Sequence, residues 1–156
     1  MVIKLQFVLT FLSLFILVIS LSFAETKTIE GITRVVDGDT LKIGKSRIRL
    51  HGIDAPESKQ RCRDQKLSDW LCGQEATKAL RKKINNRAVQ CLSDKKDRYK
   101  RYIAICYVDG VNLNQWLVLN GWAVAYQKYS KASINAEAIA RSQEVGIWSG
   151  EFILPW

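Results

Sequence analysis

Residues 34–57, RVVDGDTLKIGKSRIRLHGIDAPE, constrain the fold more than any other stretch of the chain. In and around it, residues 32–36, 40–43 and 47–50 are short, β-branched and alternating, the pattern of strands with one face buried. Asp-Gly at 37–38 and Gly-Lys at 44–45 are turn signals between them, so the stretch predicts a three-stranded antiparallel meander. Successive strand side chains point to opposite faces, which sets Arg47, Arg49 and His51 against Ile48 and Leu50. Asp37, Asp39, Asp54 and Glu57 all fall here, with Arg49 between them. Asp39 opens the second strand and Asp54 follows the third, so the two are expected side by side, as a pocket for a hard cation.

The later elements are read from period and punctuation. Residues 58–73 are polar and without periodicity, a loop. A helix is expected over 74–85, with Ala76, Ala79, Leu80 and Ile84 on one face and Asn85-Asn86 as its stop. A strand at 88–92, a charged turn at 93–100 and a returning strand at 101–108 follow. Asp109-Gly110 turns the chain into a helix over 113–120 that ends at Gly121. Residues 122–126 are apolar and partly extended, and a third helix is expected over 132–145, closed by Gly146, with Ile147 and Trp148 folding back onto the core. Five strands with a helix after the third and more helices after the fifth describe an α+β, mainly β, OB-type barrel. No internal repeat, low-complexity tract or second domain is evident.

Residues 1–24 read as an export signal: Lys4 supplies the positive start, 7–23 is nearly all apolar, and Ser22 and Ala24 are small at the predicted cut. Cleavage there leaves 25–156 as a single domain; the competing reading is an uncleaved membrane anchor through 5–23. The chain holds 24 Lys+Arg against 15 Asp+Glu, a net charge of +9 to which the signal contributes only Lys4. That balance favours polyanions and by itself does not separate nucleic acid from an anionic membrane or an acidic polysaccharide. Cys62, Cys72, Cys91 and Cys106 form an even set behind an export signal, as in disulfide-bonded proteins of oxidising compartments. Of the three pairings open to four cysteines, Cys62–Cys72 across the polar loop and Cys91–Cys106 across a hairpin are favoured, the second because a turn near Arg98-Tyr99 sets them opposite each other. A zinc site is disfavoured, since neither spacing is C-x-x-C and one histidine cannot complete a ligand set.

In order along the chain, VVDGDT, RLHGIDAPE, CGQEA, DRYKRYIA, NGWAVAY and EVGIW resemble the staphylococcal nuclease (thermonuclease) family over residues 30–148. The resemblance implies a secreted, monomeric, Ca²⁺-dependent OB-barrel phosphodiesterase that acts on DNA and RNA, without a stable protein partner. It also assigns roles. Asp39 and Asp54 match the direct calcium ligands, with the backbone carbonyl of Ala55, and Asp37 an outer carboxylate. Glu57 matches the glutamate beside the attacking water. Arg49 and Arg101 match the phosphate-clamping arginines, and Arg98, Tyr99 and Tyr126 fall where the family holds the nucleotide's flanks. Ala55 stands where the best-known member has threonine, which leaves a carbonyl ligand intact, and the loop with two cysteines replaces that member's lysine-rich loop.

The chemistry is consistent with these roles. Carboxylate and carbonyl oxygens suit Ca²⁺ or Mg²⁺, and guanidinium groups can each give phosphate two parallel hydrogen bonds, which lysine cannot copy. Other residues have plainer readings. His51, the only histidine, is expected to be structural, and Trp116, Trp122 and Trp148 are expected in the core. Lys42, Lys45 and Arg47, like Arg81, Lys82 and Lys83, read as solvated faces. An inactive OB module that only binds nucleic acid is the alternative function, disfavoured because both aspartates, the glutamate and both arginines are present.

Overall fold

The alternation of the first strands becomes one wall of a closed sheet. In this computed structural model, residues 26–155 are described; the predicted signal lies outside the described residues, as does Trp156. The elements are β1 (Lys27–Val35), β2 (Thr40–Ile43), β3 (Ser46–Leu50), β4 (Ile53–Asp54), β5 (Cys62–Arg63), β6 (Asp69–Trp70) and α1 (Cys72–Ile84). They continue with β7 (Ala88–Lys96), β8 (Tyr102–Val108), β9 (Val111–Asn112), α2 (Leu113–Leu119), β10 (Val124–Ala125) and α3 (Ile134–Ser142). β1 pairs antiparallel with both β2 and β7, β2 with β3, and β7 with β8. The parallel pairing of β3 with β8, Arg49 opposite Ile103, closes these five strands into a barrel. With three helices around it, this is the OB-type α+β architecture expected from the element order.

Inward positions of each strand fill the barrel: Leu41, Ile48, Leu50, Val89, Ala104 and Val108 are all buried. Leu80 and Ile84 of α1, then Leu113, Leu117 and Val118 of α2, cover its open ends. Each large aliphatic side chain so enclosed contributes about 1.5–3 kcal/mol relative to exposure. Asn114 is a buried exception. It accepts from the Cys106 N–H at 3.0 Å and donates to the His51 and Ala104 carbonyls at 2.9 and 3.1 Å, tying β8 to the end of β3.

Several boundaries differ from those read in the sequence. β1 begins at Lys27, five residues early, because 27–32 pair with β7, a partner that period alone does not reveal. β7 runs to Lys96, through the first half of the expected charged turn. Its Asp94, Lys95 and Lys96 are exposed while Ser93 is buried, and a bulge between Ser93 and Lys95 absorbs one residue. The bulge lies beyond Cys91, which stands opposite Cys106 as the register argument required. α3 is shorter than 132–145, and Gly146 opens a 3-10 turn (Gly146–Ser149) instead of closing the helix.

The cysteine loop is not structureless. β5 and β6 pair within it, and both expected disulfides, Cys62–Cys72 and Cys91–Cys106, are formed. Cys62 and Cys72 build a second small core with Val124 and Ile147, flanked by Trp70, Trp148 and Phe152. The C-terminal segment is stitched to this loop by reciprocal backbone bonds between Arg63 and Glu151, 2.8 and 2.9 Å.

Candidate functional site

The site begins at the Asp37-Gly38-Asp39 turn. The Asp37 carboxylate accepts from the Asp39 N–H at 3.1 Å, and the Asp39 carbonyl accepts from the Leu50 N–H at 2.9 Å, which locks the turn onto the end of β3. Gly38 lets it press on the next segment: a Cβ there would lie 2.7 Å from the Ala55 Cβ. Asp39 is therefore buried. Its Oδ2 accepts from the Ala55 N–H at 2.9 Å and its Oδ1 from the Thr40 hydroxyl at 3.2 Å.

Arg49 stands opposite Thr40 in the β2–β3 register, which aims it at both acids. It donates through one Nη to Asp39 and through the other to Asp54. Burial pushes the Asp39 carboxyl up to about 7, although Arg49 and the Ala55 N–H pull the other way. Burial likewise opposes the charge on Arg49, but Asp39 and Asp54 outweigh it and hold that proton more tightly. Asp54 is set by β4, which pairs with β10, Val124 opposite Asp54. β10 is held in turn by the buried Glu137 of α3, whose Oε2 accepts from the Ala125 N–H at 2.6 Å and Oε1 from Arg141 at 2.7 Å.

A cleft of about 560 Å³ opens beside this acid pair, and Arg49, Arg98, Tyr99, Arg101 and Tyr126 are among the residues that line it. The β7–β8 turn supplies the arginines. Asp97 Oδ1 accepts from the N–H groups of Tyr99 and Arg101, each at 2.9 Å, and Oδ2 from Arg101 Nε at 2.7 Å. Burial raises the Asp97 carboxyl, but the backbone and side-chain bonds from Arg101 prevail and hold it below the usual carboxylate range. The guanidinium groups of Arg98 and Arg101 lie 4.9 and 5.4 Å from the centre of the exposed Tyr99 ring. Tyr126 packs edge-on against Tyr129, ring centres 4.7 Å apart.

Thus the structure gathers Asp39, Asp54, Ala55 and Arg49 at one point, and Arg98, Tyr99, Arg101 and Tyr126 around the cleft that Arg49 also lines. Asp37 is half-buried at the start of the turn. Glu57 is exposed on the loop after Asp54, where its backbone is held by Gln60 at 2.7 and 3.2 Å. Four further residues take part, none of them given a site role by the sequence motifs. Asp97 carries a legible signal, an acid opening a hairpin turn two residues before a tyrosine. Glu137 looks like an ordinary surface ion pair with Arg141, and its burial beneath β10 has no local signature. Lys95 and Lys96 line the cleft from what reads as a solvated turn. His51, expected to be structural, also lines the cleft.

Among the described residues, no three His, Cys, Asp or Glu side chains converge as a ready-made metal cage. Asp39 and Asp54 nevertheless offer a fitting donor set. They are two buried carboxylates bridged by one guanidinium, with the Ala55 N–H on Asp39, and once both are ionised they carry one more negative charge than Arg49 supplies. Hard cations such as Ca²⁺ and Mg²⁺ take such ligands.

Comparisons with known proteins identify the family of the chain. The family described as staphylococcal nuclease homologue matches residues 47–150. A succinoglycan biosynthesis protein of Rhizobium meliloti is 36% identical over 124 residues, 78% of this chain and 65% of its own length, so the chain spans just under two thirds of that relative. An uncharacterised endonuclease of Escherichia coli is 34% identical over 133 residues, 80% of each chain. A second, of Haemophilus influenzae, is 33% identical over 151 residues, 92% of this chain and 79% of its own. With a five-stranded barrel closed by β3 and β8, three helices around it and these relatives, the chain belongs to the staphylococcal nuclease family of phosphodiester hydrolases.

Proposed function

We propose that this protein is an exported Ca²⁺-dependent nuclease that hydrolyses phosphodiester bonds in DNA and RNA. One observation carries the reading: Arg49 belongs both to the buried Asp39–Asp54 pair and to the wall of the cleft that holds Arg101. A single guanidinium thereby links the place that suits a hard cation to the place that suits a phosphate. The two disulfides favour an oxidising compartment, and no helix among the described residues is long and apolar enough to cross a membrane. The proposed mature domain is 25–156.

Asp39, Asp54 and the Ala55 carbonyl would hold Ca²⁺, with Asp37 as an outer carboxylate. The cation, when bound, supplies positive charge to the phosphate and acidifies water beside it. Arg49 and Arg101 donate N–H groups to the phosphate oxygens as charge accumulates there in the transition state. Asp97 fixes Arg101 for that task by holding its Nε, which leaves the Nη groups to bind substrate. Arg98, Tyr99 and Tyr126 all line the cleft, so they receive the sugar and base beside the scissile phosphate. Glu57, on the exposed loop after Asp54, would orient the attacking water and accept its proton. The cleft walls include three arginines, two lysines and three tyrosines, groups that read phosphate and ring faces, and this supports action on both DNA and RNA.

The test is cleavage of single- and double-stranded DNA and RNA by the purified protein with Ca²⁺, with Mg²⁺ and with chelator, beside Glu57→Gln and Arg49→Ala. Calcium-dependent cutting, abolished by chelator and reduced on the order of 10³-fold or more by Arg49→Ala, is expected. Binding without cutting in any metal would replace the enzyme with a nucleic-acid-binding module.

A further inference from the structure

The catalytic cleft is not the end of the groove system. Tyr126 lines the cleft and also one side of a second cavity of about 440 Å³, whose other walls include Lys128, Arg141 and Leu154. Both volumes fall in the range of small-molecule sites, and one tyrosine separates them. We propose that this second cavity is a nucleotide subsite that takes the flanking phosphate and sugar of a polynucleotide strand running past Tyr126. The proposal rests on the nuclease reading for its choice of ligand.

Three features fit that occupant. First, Arg141 is fixed before any ligand arrives. Glu137 accepts from its Nη2 at 2.7 Å, and its guanidinium lies 4.1 Å from the centre of the Trp148 ring, with the side chain still about half exposed. A guanidinium held on two sides loses little entropy when a phosphate reaches its remaining donors. Second, Lys128 adds a flexible ammonium on the same groove, near the exposed Tyr129 ring at 5.8 Å. With Glu137 neutralised by Arg141 and by the Ala125 N–H, the cavity stays net positive, as a phosphate requires. Third, Ala125 and Leu154 give it apolar walls, which suit the face of a sugar and do not suit a free inorganic anion. The Tyr126–Tyr129 pair at the junction offers ring edges and faces to a base crossing between the cavities.

The subsite therefore acts on strand length. A dinucleotide can fill the cleft alone, whereas a longer strand also engages Lys128 and Arg141. The experiment measures binding of fluorescently labelled thymidine dinucleotide and octanucleotide to the protein expressed from the full chain, in chelator, across a salt series. The variants are Lys128→Ala and, as a charge-matched control on the outer face of α1, Lys82→Ala. Lys128→Ala is expected to weaken the octanucleotide roughly five- to tenfold and to make its salt slope shallower by about 0.7, one single-strand phosphate contact. The dinucleotide should bind it as it binds wild type, and Lys82→Ala should change neither ligand. The proposal is overturned if Lys128→Ala binds both ligands like wild type, if it loses both equally, or if Lys82→Ala matches its loss. A parallel cleavage assay with Ca²⁺ keeps the readings apart. Absence of cutting removes the nuclease reading, while the binding series in chelator still decides the subsite.

Discussion

At the scale of single residues, several side chains of the site are held by specific partners, and Asp97 is the clearest case. Its carboxylate accepts from two backbone N–H groups and from Arg101 Nε, so its ionised form is favoured in the fold. A carboxyl whose folded value lies below its unfolded one adds stability above the unfolded value, near 3.8, and that stability is lost as pH falls through the folded value. The melting midpoint of wild type should therefore fall more steeply below about pH 4 than that of Asp97→Ala. Parallel midpoint curves for the two proteins would remove this role. Above that range Asp97→Ala should still free Arg101 and, on the proposed role of Arg101 as a transition-state clamp, cut kcat more than it raises KM. Gly38 makes the complementary case through space. Gly38→Val drives a side chain into Ala55, whose peptide N–H holds Asp39. Isothermal titration of Ca²⁺ should then show weakened binding while the circular dichroism stays native; unchanged affinity would mean that the turn yields without disturbing Asp39.

At the scale of elements, what the sequence reveals depends on whether an element is defined by its neighbours in the chain or by distant ones. β2 and β3 are legible because their alternation and turns are local, and so is the register that sets Cys91 opposite Cys106. The end of β7 is not legible, since Asp94, Lys95 and Lys96 resemble a turn and are held in a strand only by β8. β4 and β10 are two-residue strands, too short for any period, yet their pairing positions Asp54. The family's ordered motifs named Asp39, Asp54, Arg49 and Arg101, but nothing local could report that Glu137 lies beneath β10 as its anchor. The cysteine loop gives a prediction at this scale. Replacing Cys62 and Cys72 by alanine opens a loop of sequence separation 10. This should cost about 2–3 kcal/mol and be read as a lower denaturation midpoint in urea. Gly121 gives another. It holds φ +68° at the end of α2, and a Cβ there would strike the Val145 carbonyl. Gly121→Ala should lose at least about 1–2 kcal/mol. A midpoint equal to wild type would show, in the cysteine variant, that the second core tolerates slack, and in Gly121→Ala, that the Val145 carbonyl moves aside.

At the scale of the whole molecule, closure of the barrel and the placement of charge act together. The β3–β8 pairing removes the open edges of the sheet and brings Arg49 beside the hairpin that carries Arg98 and Arg101. Asp39, Asp54 and Glu137 are inside, while the cleft and the groove beyond Tyr126 gather arginine and lysine at the surface. The net +9 of the chain is thus not spread evenly in effect. Part of it lies along the path a polynucleotide would follow, which is why composition alone pointed to polyanions without choosing among them. If that path engages about three to six phosphates, the affinity for a long single strand should fall with salt at a log–log slope of about −2 to −4. Titrations in chelator over a range of salt concentrations measure it directly. A slope near zero would mean that the basic surface is only a solvated face, and that substrate is held by the rings of Tyr99 and Tyr126 without its phosphates. A slope in the expected range that Arg49→Ala and Arg101→Ala each reduce by about 0.7 would place both arginines on phosphate in the bound strand.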